Sequence, residues 1–203
     1  MTIAGVLIKE EDSDKLKKLG VKDSKLLTHV MREFLAKEIA EIAIEFDSIA
    51  LQAEEIDEVV FNSFNLNKLE AVTMAKIVNN LLKDKPAKVY IDCPSNNIKA
   101  WKEFLLSHIE FKNKEFIVEH KADVKYPAVS AASIIAKVRR EDEVVRIKRQ
   151  FGIDFGSGYP SDPNTVKWLK ENGEKYEHEG IIRKSWQTWK NHKKEGSQKK
   201  LGV

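Results

Sequence analysis

Cysteine is almost absent from the chain. Among 203 residues only Cys93 carries a thiol, so no intrachain disulfide can form and stability must come from packing and hydrogen bonding. Long apolar runs are missing too, none approaching the ~20 residues that span a bilayer, and a membrane role is not expected. The N-terminus lacks the basic, apolar and small-residue succession of a secretory signal. A reducing cytoplasm is therefore the expected setting. No internal repeat is found, which excludes a solenoid or propeller, and only the lysine-rich tail is low in complexity. The formal net charge of +3 is too small to identify a polyanionic partner by itself.

What is present is an ordinary globular composition, with 42% hydrophobic and 33% charged residues in a length suited to one α/β core. The basic residues are unevenly spread. Arg183, Lys184, Lys190, Lys193, Lys194, Lys199 and Lys200 crowd the C-terminus, and Lys137, Arg139, Arg140, Arg146, Lys148 and Arg149 form a second cluster. Each cluster alone is compatible with a solvated face.

Periodicity and end signals give a run of strands and helices. Thr2 to Ile8 reads as a buried strand from its length and branched residues. Thr28 is placed to cap a helix carrying Met31, Phe34, Leu35, Ile39 and Ile42, and Asp47 to Ala53 reads as the next strand. A helix is expected over Asn67 to Leu82, with Pro86 stopping it. The strand Lys88 to Asp92, a helix over Ile98 to Leu106 and the strand Glu115 to His120 follow. Pro127 suits the first turn of a helix reaching Gln150. A glycine-rich turn through Gly152, Gly156 and Gly158 precedes a last helix with Asp162 as N-cap, Pro163 at its first position and Gly173 at its end. The alternation predicts an α/β sheet with helical cover, divided into a 1–155 domain and a 156–203 helical extension with a basic tail.

Two acids stand where such sheets gather chemistry, at strand carboxyl ends. Asp92 ends one strand, and Asp123 follows another. Each has a plainer alternative: Asp92 could cap the helix near Ser95 and Asn96, and Asp123 could be a cap or a loop charge. Tyr159 in its Gly-Tyr-Pro turn could be a packing residue. His120 fits a satisfied structural histidine better than a metal ligand, and Cys93 a small buried hydrophobe better than a nucleophile. Trp186 and Trp189 fit packing better than stacking on nucleic acid.

Several blocks change these odds. His120-Lys121-Ala122-Asp123, then Ser130-Ala131-Ala132-Ser133-Ile134-Ile135-Ala136-Lys137, resembles the corresponding part of archaeal ribonuclease HII. Lys22-Asp23-Ser24-Lys25, the strand Tyr90 to Asp92, Gly156-Ser157-Gly158-Tyr159-Pro160-Ser161-Asp162-Pro163 and Arg183-Lys184-Ser185-Trp186 resemble further blocks of that family, in the same order. The resemblance implies a ribonuclease H-like mixed sheet flanked by helices. It implies an endonuclease hydrolysing the RNA strand of RNA/DNA hybrids, or single ribonucleotides embedded in duplex DNA. Asp92 and Asp123 would be catalytic ligands of two Mg²⁺ or Mn²⁺ ions, which suit oxygen donors and act in pairs on both oxygens of an in-line displacement. Tyr159 would pack on the deoxyribose at an RNA-to-DNA junction. Ser24, Lys25, Arg183 and Lys184 would meet phosphates, contacts that position a duplex without reading its sequence. A monomer is expected, and the lysine-rich tail shows no convincing sliding-clamp motif.

The chain also departs from that family, whose members open with a strand running into Asp-Glu-Ala-Gly-Arg-Gly ahead of the strand at Thr2. That segment is not among these residues, so the central first strand and two of four expected carboxylates are missing. The expectation is a true start upstream of Met1. The alternative is a catalytically inactive hybrid-binding protein.

Overall fold

The apolar opening forms strand β1 (Thr2–Leu7), which pairs antiparallel with β2 (Glu45–Ala50), Thr2 opposite Ala50 and Leu7 opposite Glu45. A second pair is parallel: β3 (Lys88–Asp92) lies beside β4 (Glu115–Glu119), so that Asp92 and Glu119 end their strands in register. The computed structural model describes residues 1–21, 27–62, 64–83 and 87–201, with side chains described to residue 194. The chain divides into two compact units, one of Thr2–Ala50 and Asn67–Arg140, the other of Met1, Leu51–Leu66 and Glu141–Val203.

Helix α4 (Leu66–Leu82) serves both strand pairs in the first unit. Ala71, Ala75 and Leu82 pack with Ile91 of β3, while Ile77 and Leu81 press so closely on β1 that a Cβ at Gly5 would stand 2.7 and 2.9 Å from them. Gly5 is thus the residue that lets this helix seat. On the remaining apolar surface, α1 (Ser13–Lys18) supplies Leu16 and α2 (His29–Ile42) supplies Leu35 and Ile39. Thr28 caps α2, its Oγ1 accepting the Met31 N–H at 3.3 Å. Burial of each such Leu or Ile contributes about 1.5–3 kcal/mol. Met31 and Phe34, on the same helix, are exposed instead.

One strand differs from expectation. The segment predicted over Asp47–Ala53 begins two residues earlier and stops at Ala50. The Gln52 N–H donates to Glu55 Oε2 at 2.6 Å, half of a capping box, and this starts α3 (Ala53–Phe61), a helix absent from the sequence reading. Helices α5 (Ile98–Ser107) and α7 (Pro127–Phe151) lie close to where the sequence places them, and the chain leaving β4 forms a short helix that the sequence reading did not contain, α6 (Ala122–Lys125).

The second unit holds α8 (Pro163–Asn172) and α9 (Gln187–Leu201). Leu169, Ile182 and Trp189 form its core, with Trp168, Tyr176 and Trp186 packed against them. Both tryptophans singled out near the C-terminus are therefore packing residues. Among the described residues no helix is long and apolar enough to cross a membrane.

Candidate active site and nucleic-acid contacts

Asp92 does not cap the following helix. Asn97 does that, accepting the Ala100 N–H at 3.1 Å. The Asp92 carboxylate points to the neighbouring strand's exit, where Oδ1 accepts the Ala122 N–H at 3.0 Å. The chain reaches that point by leaving β4, turning through Lys121 in the left-handed region (φ 57°) and starting α6. The turn delivers Asp123, one residue further on, to the strand end that Asp92 occupies.

The same corner is braced from three sides. His120 Nδ1 lies 2.9 Å from the Cys93 carbonyl oxygen, which can only accept, so Nδ1 carries the proton. The Cys93 N–H in turn donates to Glu119 O at 3.0 Å. From α7, the buried Ser130 hydroxyl donates to the Asp123 carbonyl oxygen. The adjacent Ala131, fully buried, packs on Leu16, Leu35 and Ile39, so the small-residue run lets α7 approach closely enough for that bond. Burial pushes the Cys93 thiol above its ordinary value, and a buried, protonated thiol is inert. Beside the corner, Lys125 and Tyr126 both donate to Glu119 and hold its carboxyl below the usual range.

Carboxylates are the hard oxygen donors that Mg²⁺ and Mn²⁺ take. Among the described residues no group of three or more His, Cys, Asp or Glu side chains is arranged to hold a metal. A single Mg²⁺ or Mn²⁺ ion is commonly held by one or two carboxylates, with water and substrate phosphate completing the shell, a donor set of the kind Asp92 and Asp123 offer. They do not fit two, whose four positive charges exceed what two carboxylates balance.

Tyr159, Arg183 and Lys184 belong to the other unit. Tyr159 sits 41% exposed, so its ring is not part of the core. Its turn is shaped by Asp162: Oδ2 accepts the Ser157 N–H at 2.6 Å and Oδ1 the Asn164 N–H at 2.9 Å. Those N–H groups and the Ser157 hydroxyl hold the Asp162 carboxyl down at about 2. The buried Thr165 hydroxyl accepts from the Gly158 N–H and donates to Phe155 O, both at 2.9 Å. Gly156 is required here, since its φ is +73° and a Cβ would lie 2.6 Å from Asp162 Oδ2.

Arg183 Nε donates to Ser185 Oγ at 3.2 Å. The backbone N–H groups of Lys184 and Ser185 donate to the two carboxylate oxygens of buried Asp57 on α3, at 2.6 and 2.8 Å. Asp57 was missed from sequence, because it lies in no motif and its partners are more than 120 residues away. Ser24 and Lys25, the remaining expected phosphate contacts, lie outside the described residues.

The family model for ribonuclease HII matches residues 1–189. The chain is 42% identical to ribonuclease HII of Pyrococcus furiosus, over 93% of this chain and 82% of that one. It is 44% identical to that of Methanococcus maripaludis, over 99% and 84%. Among solved structures, ribonuclease HII of Archaeoglobus fulgidus, in complex with PCNA, superposes with a TM-score of 0.80 at 40% identity, covering 94% of this chain and 88% of that one. A ribonuclease H2 from Pyrococcus horikoshii gives 0.80 at 35% identity, covering 96% and 98%. The fold is ribonuclease H-like, with a helical C-terminal extension, and the chain belongs to the ribonuclease HII family of endoribonucleases acting on RNA/DNA hybrids.

Proposed function

We propose that the chain binds RNA/DNA hybrids and duplex DNA with embedded ribonucleotides, and hydrolyses the RNA strand with Mg²⁺ or Mn²⁺ held at Asp92 and Asp123. The observation that carries this reading is the hydrogen bond from the Ala122 N–H to Asp92 Oδ1, which ties the two acids to one strand end. A bound ion of this kind polarises a phosphoryl oxygen and lowers the pKa of its water. Asp92 and Asp123 bind it and orient the scissile phosphate. Tyr159 offers its exposed ring to the deoxyribose beside the ribonucleotide, and Arg183 and Lys184 meet backbone phosphates. In the family's two-ion scheme a second ion would need further carboxylates beside Asp92 and Asp123.

A labelled hybrid incubated with Mg²⁺ or Mn²⁺ tests the proposal. It is expected to yield 3′-hydroxyl and 5′-phosphate ends, with cleavage abolished by Asp92→Asn. A hybrid bound but left intact favours the second reading, a hybrid-binding protein without cleavage, to which the lack of any group of three or more potential metal ligands among the described residues lends support. Clamp association rests on the A. fulgidus relative alone, and co-elution with a sliding clamp would test it. A monomer is expected in sedimentation, and a cytoplasmic location in fractionation.

A further inference from the structure

Asp57 is a buried acid to which the proposed function gives no task. It is 6% exposed, and both of its carboxylate oxygens are used, one by the Lys184 N–H and one by the Ser185 N–H. Burying a carboxylate is costly unless its hydrogen bonds are replaced. Two charge-assisted bonds to consecutive N–H groups replace them and fix the orientation of both peptide planes. A neutral amide has one acceptor oxygen and could satisfy only one of these two donors, so the carboxylate is what engages both. The segment it tethers carries the basic pair Arg183 and Lys184.

The surroundings extend the same pattern. One turn earlier on α3, Glu54 lies on the same helical face as Asp57. It meets the start of that segment so closely that a Cβ at Gly180, whose φ is +71°, would stand 2.8 Å from the Glu54 carboxyl carbon. Between these two contacts Ile182 is buried against Leu169 and Trp189. The backbone at 184 and 185 is thus fixed by Asp57, and buried Ile182 anchors the stretch just ahead of it. Ser185, whose N–H is fixed by Asp57, accepts from Arg183 Nε at 3.2 Å, so the tether reaches the guanidinium as well as the backbone.

We propose that Asp57 is a positioning residue for nucleic-acid binding: by fixing the Lys184 and Ser185 peptides it presents Arg183 and Lys184, with Ser185 aligning the guanidinium, to backbone phosphates of the duplex. The inference rests on the reading of Arg183 and Lys184 as phosphate contacts. Pre-ordering two long basic side chains lowers the entropy lost on binding, and an Asp in this place acts on affinity without touching the nucleic acid.

Binding of a fluorescent RNA/DNA hybrid to the 203-residue chain, in EDTA and over a salt series, tests it. Each phosphate contact contributes about 0.9 to the slope of log K against log salt. Four proteins are compared: wild type, Asp57→Asn, the double variant Arg183→Ala/Lys184→Ala, and the triple variant combining all three. An asparagine keeps only one acceptor oxygen and turns an N–H₂ toward the other donor. Asp57→Asn is expected to weaken binding about tenfold and lower the slope by up to about 2. The same substitution is expected to add almost nothing in the triple variant. A merely structural role predicts a lower melting temperature with the slope preserved and the effects additive.

A double variant that binds like wild type overturns the phosphate reading. A weakened double variant alongside an Asp57→Asn protein of unchanged affinity and slope overturns the role of Asp57. Should Asp57→Asn fail to fold, Ser185→Ala carries the same cycle, with a slope loss of about 1 expected through Arg183. Unchanged affinity and slope there overturn the inference.

Discussion

The hydroxyl of Ser130 donates to the carbonyl oxygen of Asp123, seven residues earlier in the chain. One helix thereby anchors the peptide that follows the second metal-binding candidate, and the anchor is buried. Ser130→Ala removes that buried donor from the Asp123 carbonyl, a loss of about 1–3 kcal/mol. Chemical denaturation of the variant is expected to show this loss, with cleavage reduced in parallel as Asp123 loosens. Unchanged stability would mean that the bond contributes nothing.

Asp92 separates two roles that substitution can pull apart. Asparagine keeps an oxygen to accept the Ala122 N–H, so Asp92→Asn is expected to melt within a few degrees of wild type. A divalent ion held by a neutral amide is weakly bound, and Mn²⁺ affinity and cleavage are expected to fall by about 100-fold or more. Alanine at the same position is expected to lose stability as well.

The turn that carries Tyr159 is sensitive to acid. The Asp162 carboxyl is held at about 2 by the N–H of Ser157 and its other donors, below the ordinary aspartate value of about 3.9. A depressed native pKa means that the opened turn binds protons more readily, so the stabilisation is complete above about pH 4 and disappears as pH falls through about 2. The Ser157 amide proton, followed by NMR, is expected to shift over that window and to be insensitive to it in Asp162→Asn.

Gly156→Ala tests the same turn by sterics. At φ +73°, with Asp162 Oδ2 2.6 Å from the added carbon, a side chain is expected to cost about 1–2 kcal/mol from the backbone alone, and more from the displaced carboxylate. Melting and hybrid affinity should fall together.

Tyr159 is proposed to act through its ring. Tyr159→Phe is expected to retain the preference for an RNA-to-DNA junction, while Tyr159→Ala loses about tenfold in cleavage there, the equivalent of ~1.4 kcal/mol of packing. Equal cleavage of junction and continuous hybrid by wild type would overturn that role.

Much of this was visible before any coordinates. Asp92 could be found because an apolar strand ending in an acid is a local pattern, and Asp162 because an N-cap followed by proline is another, whereas Asp123, in α6 beyond the end of β4, stood out through the His120–Asp123 block. Where β2 ends was misread, since Leu51 and Ala53 look like strand residues until Glu55 is seen to accept the Gln52 N–H. The second task of Asp162, accepting the Ser157 N–H, was hidden because it depends on how a glycine turn folds back.

The sequence by itself determined the family, the order of strands and helices, and which acids end their strands, because each is written in residues a few positions apart. Only the tertiary structure decided that Asp92 faces Ala122 rather than its own following helix, that Trp189 is core, and that Asp57 holds Lys184 and Ser185. Those facts depend on chain segments that meet in space, the Asp92 and Asp57 contacts across 30 to more than 120 residues and the Trp189 core by folding back on Leu169 and Ile182, which no local propensity encodes.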